Sequence, residues 1–294
     1  MPDLKTPIEN KKVNRIGNQW YRVASAEMQG YRKYMEDAMT VKLGLGPGRE
    51  KWCYVGVYDG HSGRGTSKFL QENMHERVCQ LDDPFDKQQL VDAVEQLDQE
   101  LNKKQPRAGS TCVFAVIRPS AEDEEMFDVI VSYTGDSRAM LVQSGNEYTM
   151  MSSDHKPFHL EERQRILEAG GTTTNHRVDG SLSMSRAIGN WKYKSNEKLP
   201  YHNQKVIATP GVCLTKARKG DRVVLYCDGL VERLYNVQIA RHIREQFSNS
   251  DVDDPGAVCV SLLDKSLRVG SKDNNSALIV SLTDGSDYEE VRIR

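Results

Sequence analysis

Trp52-Cys53-Tyr54-Val55-Gly56-Val57-Tyr58-Asp59-Gly60-His61-Ser62-Gly63-Arg64-Gly65 is the stretch around which the chain is organised. Trp52 to Tyr58 are aromatic or apolar apart from Gly56, which predicts a strand bound for the core. Asp59-Gly60-His61 stops that strand, and the glycines allow a sharp reversal. From Thr66 a helical spacing begins, with Leu70, Met74, Val78 and Leu81 on one face. An acid, a glycine and a histidine thus stand together where a strand meets a helix, and rigid elements hold reactive groups well. Alone, Asp59-Gly60 reads as a turn and His61 as a surface residue. The other acids of the chain decide against that reading.

Outward from this stretch, residues 1–18 are polar, lack periodicity and read as a loose arm. Strands are expected over 20–26 and 39–43, the second turning through Gly44, Gly46, Pro47 and Gly48 into the central strand. No helix follows that Gly-x-Gly, so it is not a dinucleotide loop. A second helix carries Leu90, Val94, Leu97 and Leu101 and ends near Pro106. Strands over 111–117, 127–133 and 138–142 follow one another without helices, so they are expected to pair antiparallel. Pro157 is expected to open a helix closed by Gly170-Gly171. Residues 172–204 are long, polar and weakly patterned, which marks a functional or mobile stretch. Further strands are expected over 206–208, 223–227 and 277–282. Between the last two lie a helix with Ile239, Ile243 and Phe247 in one stripe and a helix capped by Asp254, with Pro255 in its first turn. With no repeat or linker, residues 19–283 read as one domain, followed by a polar tail over 284–294. Runs of antiparallel strands with grouped helices give an α+β fold, two sheets face to face with helices outside.

The 294 residues are 38% hydrophobic and 28% charged, with a formal net charge of -2, a globular balance with no electrostatic grip on nucleic acid. No apolar run approaches a membrane span, the first residues lack the apolar core of a secretion signal, and Met1-Pro2 is not a myristoylation motif. Six cysteines are scattered without a CxxC pair or zinc spacing. They point to a reducing setting, cytoplasmic or nuclear.

Five stretches place acids at the ends of apolar strands: Glu36-Asp37, Asp59-Gly60, Gly135-Asp136, Asp228-Gly229 followed by Glu232, and Asp273-Asn274. Crowded bare carboxylates repel unless a cation sits among them. All-oxygen ligands without Cys or His favour Mg²⁺ or Mn²⁺ over Zn²⁺. Glu36 and Asp37 are neighbours and point to opposite faces of an extended chain, so at least one would act through water. Asp228 and Glu232 share a face if the turn after Cys227 is helical. Two metals about 4 Å apart, bridged by a carboxylate and a water, form a standard hydrolytic device. Asp59, on the most buried strand, is the candidate bridge. His61 would stand near the ions without ligating them, placed to protonate a leaving oxygen. Arg32, four residues before Glu36, suits a phosphate through a bidentate pair. Asp154-His155-Lys156-Pro157 reads as a capped helix start, and His176 and His202 as surface residues.

Together these stretches resemble the metal-dependent Ser/Thr protein phosphatases of the type 2C (PPM) family. The likeness runs in order over roughly 20–282. It is carried by Gly30-Tyr31-Arg32 with Glu36-Asp37-Ala38, by Val57-Tyr58-Asp59-Gly60-His61, Gly109-Ser110-Thr111, Gly135-Asp136-Ser137-Arg138-Ala139 and Asp154-His155-Lys156-Pro157. Glu168-Ala169-Gly170-Gly171, Ser185-Arg186-Ala187-Ile188-Gly189, Cys227-Asp228-Gly229 and Asp273-Asn274 continue it. The resemblance implies a four-layer α-β-β-α sandwich with a dinuclear Mn²⁺/Mg²⁺ centre at one end. It implies that Asp59 bridges the ions, the Gly60 carbonyl binds one, Asp228 and Asp273 bind the other, and Glu36 and Asp37 act through water. A weaker third ion would fall among Asp136, Asp228 and Glu232. Arg32 would bind the phosphate, and His61 would be the general acid while a metal-bridging hydroxide attacks. Residues 172–204 would be the family's flap. Phosphoserine and phosphothreonine proteins would be the substrates of a monomeric enzyme, with no nucleic acid or membrane partner.

The chain departs from that pattern at Glu232 and Asn190, where the family usually has Asp, at Ser62 for a usual Gly and at Tyr133 for a usual Asn. Glu232 and Asn190 motivate the alternative of a catalytically impaired member acting as a binding scaffold. A serine hydrolase is a weaker alternative: Gly60-His61-Ser62-Gly63 mimics a nucleophile elbow, but position 64 is Arg instead of the second Gly.

Overall fold

The computed structural model describes residues 3–104, 106–248 and 253–288. The chain opens with β1 (Ile8–Gly17) and β2 (Arg22–Gly30), then β3 (Ala38–Leu43), β4 (Cys53–Tyr58) and the short β5 (Gly60–His61). Helices α1 (Gly65–Cys79) and α2 (Lys87–Asn102) lead to β6 (Gly109–Ser110), β7 (Cys112–Pro119), β8 (Met126–Thr134), β9 (Arg138–Val142) and β10 (Tyr148–Met150). After α3 (Leu160–Glu168) come β11 (Thr173–Thr174), β12 (Arg177–Val178) and β13 (Ile188–Gly189). Next are β14 (Gly211–Arg218), β15 (Arg222–Tyr226), the single turn α4 (Asp228–Val231), α5 (Asn236–Ser248), α6 (Pro255–Arg268) and β16 (Asn275–Ser281).

Two antiparallel sheets result, one in the order β1-β2-β16-β15-β9-β10 and the other β14-β8-β7-β4-β3. Strand β4 is buried along its whole length, and its alternation explains why. Cys53, Val55 and Val57 join the core between the sheets with Val113, Ala115, Leu225 and Val280. Tyr54 and Tyr58 point the other way, onto Leu70 and Met74 of α1 and Leu90 and Val94 of α2. Their hydroxyls meet at 2.7 Å across Gly56, where a Cβ would run into both rings' oxygens. On the far side Met28, Val224 and Ile279 pack on Ile239, Ile243, Leu262 and Leu263 of α5 and α6. Each such fully buried aliphatic side chain contributes about 1.5–3 kcal/mol. The layers are therefore helix, sheet, sheet, helix: the expected four-layer α+β sandwich.

Several expectations change. The arm read as loose over 1–18 contains β1, whose backbone pairs with β2 from Ile8 to Gly17 while Val13 turns inward. This edge strand buries only Val13, so it carries no apolar alternation to read. Strands β7 and β8 pair as expected, but β8 and β9 do not: Gly135-Asp136-Ser137 crosses between sheets, and β9 pairs with β15. Residues 206–208 make a single bridge, Ile207 to Arg186, instead of a strand. Strands β10 and β14 had no expectation; both are partly exposed. Helix α3 begins at Leu160, with His159 in the N-cap position. Asp154 is turned to Arg138 instead, through bonds of 2.8 and 2.9 Å. The stretch 172–204 has its own apolar cluster, in which Ile166 of α3 meets Val178, Leu182, Met184 and Tyr193. The tail expected over 284–294 lies outside the described residues from 289 onward.

Candidate active site

Antiparallel order brings alternate strand ends to one edge. Strands β4 and β15 run out of their sheets into Asp59 and Asp228, while β3 and β16 run in just after Asp37 and Asp273. Asp136 lies in the crossing from β8 to β9. At this edge a cleft of about 1250 Å³ is lined by Arg32, Glu36, Asp59, His61, Asp228 and Asp273, together with Gly60. Asp37 and Asp136 are buried behind it.

Short hydrogen bonds fix each group. The Asp59 amide donates to Thr111 Oγ1 at 3.0 Å, the Thr111 amide donates to the Asp59 carbonyl at 2.9 Å, and Thr111 Oγ1 meets Ser137 Oγ at 2.7 Å. The Glu36 amide donates to Asn274 Oδ1 at 3.0 Å, and Ser276 Oγ donates to Asp37 at 2.6 Å. Arg32 reaches Asp273 at 2.7 Å. The β5–β6–β13 ladder sets His61 opposite Gly109 and Gly109 opposite Gly189, which leaves Asn190 beside the imidazole. Asn190, at φ +55°, meets His61 Nε2 through Oδ1 at 2.8 Å, while Nδ1 has no partner among the described residues. A Cβ on Gly109 would overlap both Asn190 Oδ1 and His61 Nε2, so the close approach requires glycine.

The electrostatics are those of a charge deficit. Burial, then the charges of Asp37, Asp228, Asp273 and Asp136, push the Asp59 carboxyl well above the carboxylate range. Burial, Asp136 and Asp273 lift Asp228 to about 8, although it shares a hydrogen bond with Asp59. Burial lifts Asp37 to about 7. Asp273 and Glu36 are raised mainly by burial. Burial also lowers His61. Among the described residues, no three His, Cys, Asp or Glu side chains are drawn into a closed ligand cage. Mutual repulsion opposes such closure when nothing neutralises the charge. One Asp136 oxygen is held by Lys156, and the other is buried without a partner among the described residues. Buried, oxygen-only and underneutralised, this donor set fits hard divalent ions.

Glu232 follows a helical turn, its amide donating to the Asp228 carbonyl at 2.9 Å. Its carboxylate turns away, accepting from the Lys272 amide at 2.8 Å and Ser271 Oγ at 3.1 Å. No local pattern assigns a role to Thr111, Ser276 or Lys156, and Asn190 enters the sequence reading only as a departure from the family's Asp that motivates the scaffold alternative. An Asn directly after a glycine hints at a turn but not at the His61 contact. Nothing local pointed Lys156 at Asp136. Ser62 is exposed at the mouth of the cleft, while the adjacent His61 gives Nε2 to Asn190.

A family profile described as Protein phosphatase 2C matches residues 21–275. A probable protein phosphatase 2C of Caenorhabditis elegans is 33% identical, over 96% of this chain and 80% of its own length. Protein phosphatase 1B of Mus musculus is 30% identical, over 99% of this chain and 77% of its own. A phosphatase structure from a pathogenic strain of Toxoplasma gondii superposes with a TM-score of 0.85 at 28% identity, covering 96% of this chain and 97% of that one. The chain belongs to the protein phosphatase 2C family.

Proposed function

We propose that this protein is a divalent-metal-dependent phosphatase that hydrolyses phosphoserine and phosphothreonine in proteins. The observation that carries the reading is the convergence of Asp37, Asp59, Asp136, Asp228 and Asp273 at one edge of the sandwich, where the other four raise the Asp59 pKa, beside His61 and Arg32. In this reading Asp59, the Gly60 carbonyl, Asp228 and Asp273 would hold two Mn²⁺ or Mg²⁺ ions, and Glu36 and Asp37 would act through water. Asp136 stands at the margin, and the engaged carboxylate of Glu232 supports at most a minor part. Bound ions would supply an activated water and neutralise charge on the phosphoryl group.

Arg32, now on Asp273, offers its guanidinium to the phosphate. Hydrolysis forms one P–O bond from water and breaks the bond to the serine or threonine oxygen, which takes a proton from His61 while the attacking water gives one up. Asn190 keeps the imidazole turned to the cleft. The scaffold alternative loses part of its motive here, because Asn190 has a defined contact with the general acid. Six free cysteines support a reducing compartment. Among the described residues no helix is long and apolar enough to cross a membrane.

Phosphate release from a phosphothreonine peptide in the presence of Mn²⁺ tests the reading. EDTA and Asp59→Asn should each abolish release. Release that survives either one contradicts it.

A further inference from the structure

We propose that the cleft selects phosphopeptides with acidic residues flanking the phosphorylated one, read by a basic wall around His61. The proposal rests on the phosphatase reading above and names its substrate class.

The two sides of the cleft are charged differently. On one side Arg32 has counterions: Asp273 at 2.7 Å, and the nearby charge of Asp3, which the Leu4 amide fixes through a 2.7 Å bond to the Tyr31 carbonyl. On the other side stand Arg64, Arg107 and Lys192, all exposed and all lining the cleft. Their segments interlock around the general acid. A Cβ on Gly63 would lie 3.7 Å from Ala108 Cβ. The Asn190 amide donates to the Ala108 carbonyl at 3.0 Å, and the Trp191 amide to the Pro106 carbonyl at 3.0 Å. Among the described residues, none of these three cations forms an ion pair. Arg177 of the β11–β12 hairpin adds a fourth, its guanidinium on the Ser181 carbonyl at 2.7 Å. Arg64, Arg107 and Lys192, from three separated segments, therefore stand around His61, and Arg177 lines the same cleft; the lining carboxylates are Asp3, Glu36, Asp59, Asp228 and Asp273, while the charge of Asp179, outside the lining, also acts on Lys192.

Chemistry fixes which part of the substrate meets that wall. The general acid must stand within hydrogen-bond reach of the leaving oxygen. That oxygen carries the peptide, so the peptide departs from the phosphate on the His61 side. An extended peptide advances about 3.3 Å per residue, so side chains within two or three positions fall within reach of long Arg and Lys arms. Acidic flanks would pair with Arg64, Arg107, Arg177 and Lys192. Basic flanks would be repelled, which is discrimination by clash as well as by contact.

Two phosphothreonine peptides that differ only in Glu or Lys at the flanking positions test this. At low salt kcat/KM should favour the acidic peptide on the order of 10-fold, shrinking as ionic strength rises. In Arg107→Glu/Lys192→Glu the preference should vanish or invert. Turnover of p-nitrophenyl phosphate, which has no flanks, should stay within about twofold and so reports an intact centre. Equal hydrolysis of the two peptides by the parent protein overturns the proposal, and so does a preference that persists in the double variant. If neither peptide releases phosphate, the phosphatase reading itself falls, and this one with it.

Discussion

His61 and Asn190 are 129 residues apart in sequence and 2.8 Å apart in space. Proton donation matters most when the leaving group is poor, and a serine or threonine alkoxide is poor. His61→Ala should therefore lower turnover of a phosphothreonine peptide by roughly 10²-fold or more. It should cost much less on p-nitrophenyl phosphate, whose phenolate leaves without help. Asn190→Ala should show the same asymmetry at a smaller size, on the order of 10-fold on the peptide. Equal losses on both substrates would assign Asn190 to holding the backbone alone. Asp59, His61, Asp228 and Asp273 were legible as candidates because acids repeated at strand ends. The Asn190 contact was not, because it depends on how a three-strand ladder closes, which no local pattern encodes.

At the scale of elements, strands and helices with a buried face could be read from spacing: β4, α1, α2, β15 and α6 match their patterns. Strands β1 and β14 could not, since solvent on one side and pairing on the other leave a polar, uneven sequence. The stretch 172–204 was legible as special but not as anchored. Its anchor is Asp98 of α2, which accepts from the Gly189 amide at 2.7 Å, Lys194 Nζ at 2.7 Å and Tyr201 Oη at 2.5 Å. Lys194 and Asp98 are both fully buried, and burial lowers the Lys194 pKa. Asp98→Ala leaves that ammonium without its counterion, on the Ala187 carbonyl alone, and should cost about 3–5 kcal/mol by chemical denaturation. Proteolytic nicking within 172–204 should appear before global unfolding. A loss under about 1 kcal/mol would show that Asp98 does not hold this segment.

At the scale of the molecule, two sheets share a dry core and one edge carries unneutralised charge. Asp37 is held near 7 and Asp228 near 8, against an ordinary 3.8. Raised carboxyls bind protons in the folded form that the unfolded chain has released, so metal-free stability should fall as pH rises towards 8. His155, lowered to about 3 by burial, works in the opposite direction below its ordinary 6.5 and is silent above it. Thermal unfolding in EDTA should therefore give a lower Tm at pH 8 than at about pH 6.5, and Asp228→Asn should flatten the difference. Saturating Mn²⁺ should raise Tm, since an ion bound only by the folded form stabilises it by about 2.7 kcal/mol at 100 times Kd. A metal-free Tm that climbs from about 6.5 to 8 contradicts the charge deficit. The account as a whole is tested most directly by anomalous scattering from a Mn²⁺-soaked crystal. It predicts two strong peaks enclosed by Asp59, Asp228 and Asp273, beside His61 and Arg32. Peaks elsewhere, or none at this edge, would contradict it.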